Sequence, residues 1–468
     1  MSVRASVEEL CRWTGGSLFR GRPDQIFDQT VIDSRKVEAG TLFVAIVGEN
    51  HDAHTFVDSV LAQGAAGIVV QSGHIKEIAE STDAFVVRVE NTTQALADLA
   101  RGHRQSFTGP LIGITGSNGK TTTKELCRDI LDRLGPTLAT LGNLNNQFGV
   151  PLTLLRRAPD DVRAIIEMGM NHRGEIADLA TIAKPTIGIL TNVGTAHIEF
   201  LSDRETIADE KGDLLAALPA SGTAILGRDD ALAFGQADRT SASVLSFGRD
   251  ARADLCATQI RFVDACAFAF ELNTPFGRGE IRVRGLAATI VDNALAAAGG
   301  AFAAGASFDD VAAGLDAHQG VPGRMQAKPL PGGVLLIDDS YNANPQSMRI
   351  ALESLAKLET RGKRYAVLGE MGELGSQGDI AHREAGQLVG ELEIDELFVL
   401  GASAALVGEG ARNAGMSSDS IHIETTHEAI GIALRDRVSK GDCILIKGSR
   451  AAAMERVIPV LCQKDDHE

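Results

Sequence analysis

The sequence predicts an α/β protein of three domains. These are a small α/β N-terminal domain over residues 1–107, a central domain on a P-loop-type, mostly parallel sheet over 108–328, and a C-terminal Rossmann-like, doubly wound domain over 329–468. A chain of 468 residues is too long for one hydrophobic core, and about three domains is the expectation for that length. Short β-branched runs alternate with helix-period segments, the pattern of parallel sheets covered by helices. One apolar run, Leu111-Ile112-Gly113-Ile114, ends in the glycine-spaced turn Thr115-Gly116-Ser117-Asn118-Gly119-Lys120-Thr121-Thr122, where a helical pattern begins. Strand, glycine turn and helix in that order form the framework of a phosphate loop.

The composition is that of a folded globular chain, 44% hydrophobic and 23% charged. A net charge of −17 argues against nucleic acid or a membrane surface as a general partner, so a bound nucleotide needs local positive charge. Met1 to Leu10 holds no uninterrupted apolar core, and no secretory signal is expected. The most apolar long stretch, 285–308, is mostly Ala and Gly and is interrupted by Asp292-Asn293, which predicts a buried helix and no membrane span. The six cysteines (11, 127, 256, 266, 443 and 462) form no Cys-x-x-Cys and are expected to be reduced and structural. Together these features point to the cytoplasm.

In the first unit, 41–46, 67–70 and 85–89 read as strands, and 57–63 and 92–104 as helices. Asp33-Ser34-Arg35 groups a carboxylate, a hydroxyl and a guanidinium in a loop, either to recognise a nucleotide or sugar or to cap a turn. His51, Asp52 and His54 have the look of a metal triplet, but with no fourth ligand in view a hydrogen-bonded polar loop is the preferred reading.

In the second unit, backbone N–H groups of the glycine turn and the helix N-terminus would close on an anion. Lys120 is placed to reach terminal phosphates and Thr121 to set a hydroxyl on Mg²⁺. Ile114 stands where the usual spacing has a Gly. The following helix carries Leu126, Ile130, Leu131 and Leu134 on one side and stops at Gly135-Pro136. The loop 142–151 gathers the amides of Asn143, Asn145, Asn146 and Gln147, either a turn or a donor set for phosphate or peptide. Strand 164–166 runs into Glu167, and strand 186–190 leads to Thr191-Asn192-Val193-Gly194-Thr195-Ala196-His197. Ligands of open α/β sheets bind beyond the carboxyl ends of strands, so Glu167, His197 and Thr121 predict a sparse Mg²⁺ site. Asp209-Glu210-Lys211-Gly212-Asp213 opens another helix, 221–285 reads as strand-rich, and the Pro-Gly turn 320–325 fixes Arg324 for a phosphate or adenine contact or leaves it in a surface loop.

The third unit alternates strands at 334–337, 365–368, 397–400 and 443–446 with helices such as 348–358 and 380–389. Two strand ends carry polar groups: Asp338-Asp339-Ser340-Tyr341-Asn342-Ala343-Asn344, and Lys447-Gly448-Ser449-Arg450. The second is expected to open a helix over 451–457 and so form an anion site suited to a carboxylate, or simply a capped turn. The acidic turn Gly369-Glu370-Met371-Gly372-Glu373-Leu374-Gly375 repels phosphate and reads as a loop, at most near an amine.

Across these segments the chain resembles the Mur ligases of peptidoglycan synthesis, most closely the member that joins D-alanyl-D-alanine to UDP-N-acetylmuramoyl-tripeptide. The resemblance rests on Thr115 to Thr121, Gly142-Asn143-Leu144-Asn145-Asn146 with Gly149-Val150-Pro151, Glu167-Met168-Gly169 with Asn171-His172, Asp339 to Asn344, and Lys447 to Arg450. It implies ATP and Mg²⁺ as cofactors, the UDP-tripeptide and the dipeptide as substrates, and a monomer without nucleic-acid or membrane contacts. Thr115, Gly116, Ser117, Asn118, Gly119, Lys120, Thr121 and Thr122, with Asn293, Arg324 and Asp339, are implied to hold ATP. Thr121, Glu167, His197 and a carbamylated Lys211 are implied to place the metal. Lys120, Glu167, His197 and Lys211 form the implied catalytic set. Ser34 and Arg35 are implied to hold the UDP end; Asn145, Asn146, Tyr341, Asn342, Lys447, Ser449 and Arg450 are the implied substrate contacts. Ile114 fits the Thr-Gly-x-x-Gly-Lys-Thr form of these ligases. Where the family carries Gly-x-His-Asn before Asn293, this chain has Ala287-Ala288-Thr289-Ile290, which implies an adenine pocket built differently. After His197 a frequent Gly is replaced by Ile198.

The implied reaction has two steps: the tripeptide carboxylate takes the γ-phosphoryl group, and the dipeptide amine then displaces phosphate from the acyl phosphate. His197, a carboxylate or water all remain open as the base. Other readings are a ligase for a different amino acid on the same fold, opposed by Asp339-Ser340-Tyr341-Asn342-Ala343-Asn344, and a P-loop switch or motor, which leaves the Lys447–Arg450 turn without a purpose. A dinucleotide oxidoreductase is disfavoured because Gly113, Gly116 and Gly119 do not follow Gly-x-Gly-x-x-Gly.

Overall fold

A computed structural model of the chain describes residues 3–48, 51–77, 83–194, 198–201, 203–264 and 266–463. β-branched and aromatic runs form the first sheet, a five-stranded one in the order Ser17–Arg20, Phe85–Val89, Gly67–Gln71, Thr41–Val44, Gln29–Val31. Its pairs are parallel except for the edge strand Ser17–Arg20. Helix Val7–Thr14 starts at a capping box of Ser6 and Glu9 and stops at Gly15, whose φ of 66° a side chain would disfavour. Helix Thr92–Arg104, capped by Asn91, packs between Val7–Thr14 and Gly149–Leu155, so one continuous apolar cluster runs from the first sheet into the second.

The central sheet has nine strands, in the order Gly277–Arg284, Ala267–Thr274, Leu255–Val263, Ser243–Gly248, Thr223–Gly227, Ile187–Leu190, Leu111–Thr115, Arg163–Glu167, Thr137–Ala139. It is parallel from Thr137–Ala139 to Leu255–Val263, and the strand-rich segment finishes it with two antiparallel pairings. Leu111–Thr115 lies between Arg163–Glu167 and Ile187–Leu190, so the carboxyl ends of all three meet at one edge. Beneath them runs the Ala-rich helix Thr289–Ala303, buried as its composition predicts. A Cβ on Gly300 would stand 2.7 Å from Ile189 Cδ1, so glycine here permits the close approach of helix to sheet. Among the described residues no helix is long and apolar enough to cross a membrane.

The third sheet has six strands, in the order Gln326–Leu330, Val334–Asp339, Cys443–Lys447, Arg364–Leu368, Glu396–Leu400, Ile421–Glu424, all parallel but the first. Helices Pro345–Lys357, Gly378–Glu391 and Ala404–Asn413 cover one face, and His427–Arg435 with Val457–Leu461 the other, which makes it doubly wound. The last strand in sequence inserts between the first two parallel ones. Asp339, Lys447 and Leu368 therefore end adjacent strands in register, and the turns that follow all leave one edge.

The expected helix at 451–457 does not form as read. Ala453 takes a left-handed φ of 48°, only a 3₁₀ turn follows at Met454–Arg456, and the α-helix is confined to Val457–Leu461. Lys447 to Arg450 is a turn at a strand end, and no α-helix N-terminus lies at it.

Candidate active site

The edges of the central and third sheets face each other across a cleft of about 1500 Å³. Its central-sheet wall begins with the glycine turn. Gly116 has a φ of 150°, and a Cβ there would meet Thr191 Oγ1 at 1.9 Å, so this position accepts only glycine. Thr191 Oγ1 and Asn192 Nδ2 donate to the Asn118 carbonyl at 2.7 and 3.0 Å, and Asn118 N–H returns a bond to Asn192 Oδ1 at 3.0 Å. The turn is thus pre-shaped by the neighbouring strand's exit. Thr115 is buried beneath it.

Lys120 opens helix Lys120–Leu131 and folds back on the turn, its Nζ donating to the Gly116 carbonyl at 2.6 Å. Burial pushes this ammonium below the ordinary lysine range; Glu167 and Glu373 oppose the shift and Arg324 adds to it. Glu167 ends its strand buried, with Oε1 accepting from Asn145 Nδ2 at 2.9 Å. Its Oε2 has no partner among the described residues. Asn145 is therefore a cleft amide that holds Glu167. Asn146 points elsewhere: its Oδ1 accepts from the N–H groups of Phe148 and Gly149 and shapes the start of helix Gly149–Leu155, and it is not on the cleft wall.

Lys211 sits on helix Arg204–Ala216 and is 1% exposed. Burial pushes its amine well below the ordinary lysine range, Lys120 pushes the same way, and Glu210 opposes both. Glu210 itself accepts from the N–H groups of Gly174 and Ile176, and no described residue bonds to the Lys211 amine. His197 lies outside the described residues.

Arg324 NH2 donates to Thr121 Oγ1 at 3.3 Å, and its guanidinium lies 4.1 Å from the Tyr341 ring centroid, so this turn is not a free surface loop. Asn293 Oδ1 lies against the second glycine of the turn, where a Cβ on Gly119 would meet it at 2.3 Å. At the Ala287-Ala288-Thr289-Ile290 segment Arg249 reaches over the helix start, bonding Asp292 at 3.1 Å and the Ala288 carbonyl at 2.9 Å. Burial pushes the Asp292 carboxyl up, and Arg249 pulls it back.

On the third-sheet wall Lys447 Nζ donates to Asp339 Oδ2 at 2.6 Å and to the Asn342 carbonyl at 2.9 Å. Burial raises the Asp339 carboxyl, and Lys447 opposes it. Tyr341, Asn342, Ser449 and Arg450 line the same wall. The two walls touch through Asn118, whose Oδ1 accepts from Asn344 Nδ2 at 2.9 Å and whose Nδ2 donates to Gln346 Oε1 at 3.0 Å.

Ser34 and Arg35 are not on this cleft: they form a 3₁₀ turn in the first unit, where the Arg35 hydrogen bonds hold the Asp33 carboxyl down at about 2. The histidine loop is a hydrogen-bonded one. His54 Nε2 accepts from Gln71 N–H at 3.0 Å and its Nδ1 lies 2.6 Å from Asp52, which leaves that ring no lone pair for a metal, although His74 stacks on it at 3.9 Å. Arg249 carries no signal in the sequence, and Thr191 and Asn192 stand there only as the exit of a strand, with no hint that they shape the glycine turn.

Three family models match: the Mur ligase family catalytic domain over 28–104, the Mur ligase middle domain over 114–301, and the Mur ligase glutamate ligase domain over 323–450. The UDP-N-acetylmuramoyl-tripeptide–D-alanyl-D-alanine ligase of Escherichia coli K12 is 35% identical, over 94% of this chain and 94% of the relative. The enzyme of that name from Synechocystis is 37% identical over 92% and 90%. A crystal structure of MurF from Acinetobacter baumannii superposes with a TM-score of 0.88 at 32% identity, over 99% of this chain and 100% of that one. MurF ligase from Thermotoga maritima, solved in complex with ADP, gives 0.80 at 30% identity over 92% and 96%.

Proposed function

The chain belongs to the Mur ligase family, and from that premise we propose that it joins D-alanyl-D-alanine to UDP-N-acetylmuramoyl-tripeptide with cleavage of ATP to ADP and phosphate. The observation that carries the reading is the single cleft in which a phosphate turn faces the Asp339–Asn344 and Lys447–Arg450 turns. The units divide the work: 1–107 hold the UDP end through Ser34 and Arg35, 108–328 hold ATP, and 329–468 present the dipeptide. Peptidoglycan precursor synthesis in the cytoplasm by a monomer follows as part of the same reading.

The turn's N–H groups and Lys120 take the β- and γ-phosphates, with Lys120 exchanging the Gly116 carbonyl for phosphate oxygen. Arg324 stands beside Thr121 and steadies the transferring phosphoryl group, and Asn293 and Asp339 frame the nucleoside side. Two anionic oxygens must meet, so most of the catalysis is positioning and charge neutralisation. The tripeptide carboxylate attacks the γ-phosphorus; the dipeptide amine then attacks the acyl carbon and phosphate leaves. Tyr341, Asn342, Ser449 and Arg450 keep the dipeptide on the far wall.

The donor set fits Mg²⁺. Glu167 Oε2 is buried without a partner among the described residues, and Thr121 adds a hard hydroxyl oxygen. Bound Mg²⁺ would neutralise phosphate charge. Lys211 fits as a donor only as a carbamate: burial and Lys120 push its amine well below the ordinary lysine range, which favours the unprotonated form that adds CO₂, and the product would be an oxygen anion near Lys120. His197 completes the proposed donors.

The test is phosphate release from ATP with UDP-N-acetylmuramoyl-tripeptide and D-alanyl-D-alanine. Release that requires both, with the condensed product, is expected; ATP hydrolysis without an acceptor amine, or a preference for glutamate, would overturn the reading.

A further inference from the structure

Glu167 is held at its backbone as well as at its side chain. Asn145 engages Oε1 and leaves Oε2 as the buried oxygen without a partner among the described residues. The backbone is held by Thr140, a buried residue just beyond strand Thr137–Ala139. Thr140 Oγ1 accepts from the Glu167 N–H at 3.0 Å, and Thr140 N–H donates to the Ile165 carbonyl at 3.1 Å. The Thr140 carbonyl accepts from Lys124 Nζ at 2.7 Å. The N–H, the hydroxyl and the carbonyl of one residue are thus all engaged. Neither Thr140 nor Lys124 lines the cleft.

Lys124 is an uncommon residue to bury. It lies on helix Lys120–Leu131, is 0% exposed, and pairs with Glu125 Oε1 at 2.7 Å. A buried ion pair adds little net stability over apolar side chains of similar volume, so packing alone does not account for it. Its position in the helix does. Lys124 follows Thr121 by three residues, about one turn along the same helix. The helix that carries the Thr121 hydroxyl is therefore tied through Lys124 to Thr140, and Thr140 is tied to Glu167. Two metal donors from different elements are joined by a buried strut of two hydrogen bonds. Mg²⁺ demands near-octahedral oxygens at about 2.0–2.1 Å, so it tolerates little drift of one donor against the other.

We propose that Lys124 and Thr140 are positioning residues that fix the Glu167 carboxylate relative to Thr121 and so set the affinity of the site for Mg²⁺. The metal and its donors come from the ligase reading. Both residues act through Glu167.

Full-length wild type, Thr140→Ser, Thr140→Val and Lys124→Met are compared by calorimetric titration with ADP, once in Mg²⁺ and once in EDTA. Thr140→Val keeps the shape and removes the acceptor, and Thr140→Ser keeps the acceptor. Lys124→Met keeps an unbranched stem without the ammonium, while Glu125 retains Arg128 at 3.8 Å. In Mg²⁺ the Val and Met variants are expected to bind ADP about tenfold more weakly than wild type, with Thr140→Ser within about twofold of it. In EDTA all four are expected to agree within about twofold. A Val or Met variant that matches wild type in Mg²⁺, an equal weakening in EDTA, or a Ser variant as weak as Val would overturn the proposal. Loss of the wild-type circular dichroism spectrum in both Thr140→Val and Lys124→Met would overturn it too, because the strut would then hold the fold and not the donor. Wild type that binds ADP equally in both buffers, or not at all, would instead overturn the metal site of the ligase reading, and this proposal with it.

Discussion

Replacing Lys211 by alanine separates the packing role of its stem from the chemical role of its amine. The side chain is 1% exposed, so truncation removes three buried methylenes, a loss of about 2.4 kcal/mol at about 0.8 kcal/mol each. Its ammonium form is disfavoured where it sits, by burial and by Lys120. Its removal offsets part of that loss, and the variant remains folded. On the proposed carbamate the chemical effect is larger: an anionic metal donor would be lost, and a fall of about 10- to 100-fold is expected. The void left by the stem has room for a small carboxylate. Ligation by Lys211→Ala, followed by phosphate release, is therefore expected to recover about tenfold as acetate is added. Lys211→Met fills the same space without a charge, so acetate has nowhere to bind and no recovery is expected. A Lys211→Ala enzyme near wild-type rate, or equal recovery in both variants, would refute the carbamate and leave Lys211 a packing residue.

Lys120→Ala is expected to lower ligation at least about 100-fold with an unchanged circular dichroism spectrum, because the turn is shaped by Thr191 and Asn192 and does not depend on the lysine. Gly116→Ala sets a Cβ 1.9 Å from Thr191 Oγ1, so a stability loss of about 1–3 kcal/mol in urea is expected, partly recovered by adding Thr191→Ala. His103 is buried with Nε2 unpartnered among the described residues, and burial lowers its pKa to about 4 from 6.5. The unfolded chain binds the proton first, so stability is full above pH 6.5 and falls by about 3 kcal/mol as pH drops through 4; His103→Phe should flatten that difference in denaturation curves taken across the range.

The α/β class and the parallel sheets were legible because alternation and β-branched runs are local signals. Lys120, Thr121 and Glu167 were legible for a related reason: each stands at a strand exit, and chain order alone puts such exits together in a parallel sheet. What escaped depends on contacts between distant segments. Nothing near Asn145 in sequence announces Glu167 as its partner, and nothing near Arg249 announces that it covers the start of a helix through Asp292. The helix expected after Lys447 failed at a single backbone angle, the left-handed Ala453, which its alanine-rich surroundings argue against.

Asn118 belongs to the phosphate turn, yet both ends of its amide are engaged by Asn344 and Gln346 of the opposite wall. One side chain therefore reports to two partners at once. A nucleotide drawing this amide toward its phosphates would loosen the grip on the other wall, and loss of that grip would free the amide for the nucleotide. Such linkage is reciprocal: whatever factor nucleotide imposes on the docking of the third sheet, docking imposes on nucleotide affinity. The strength of the contact between the walls and the affinity of the phosphate turn would then be one quantity measured from two sides.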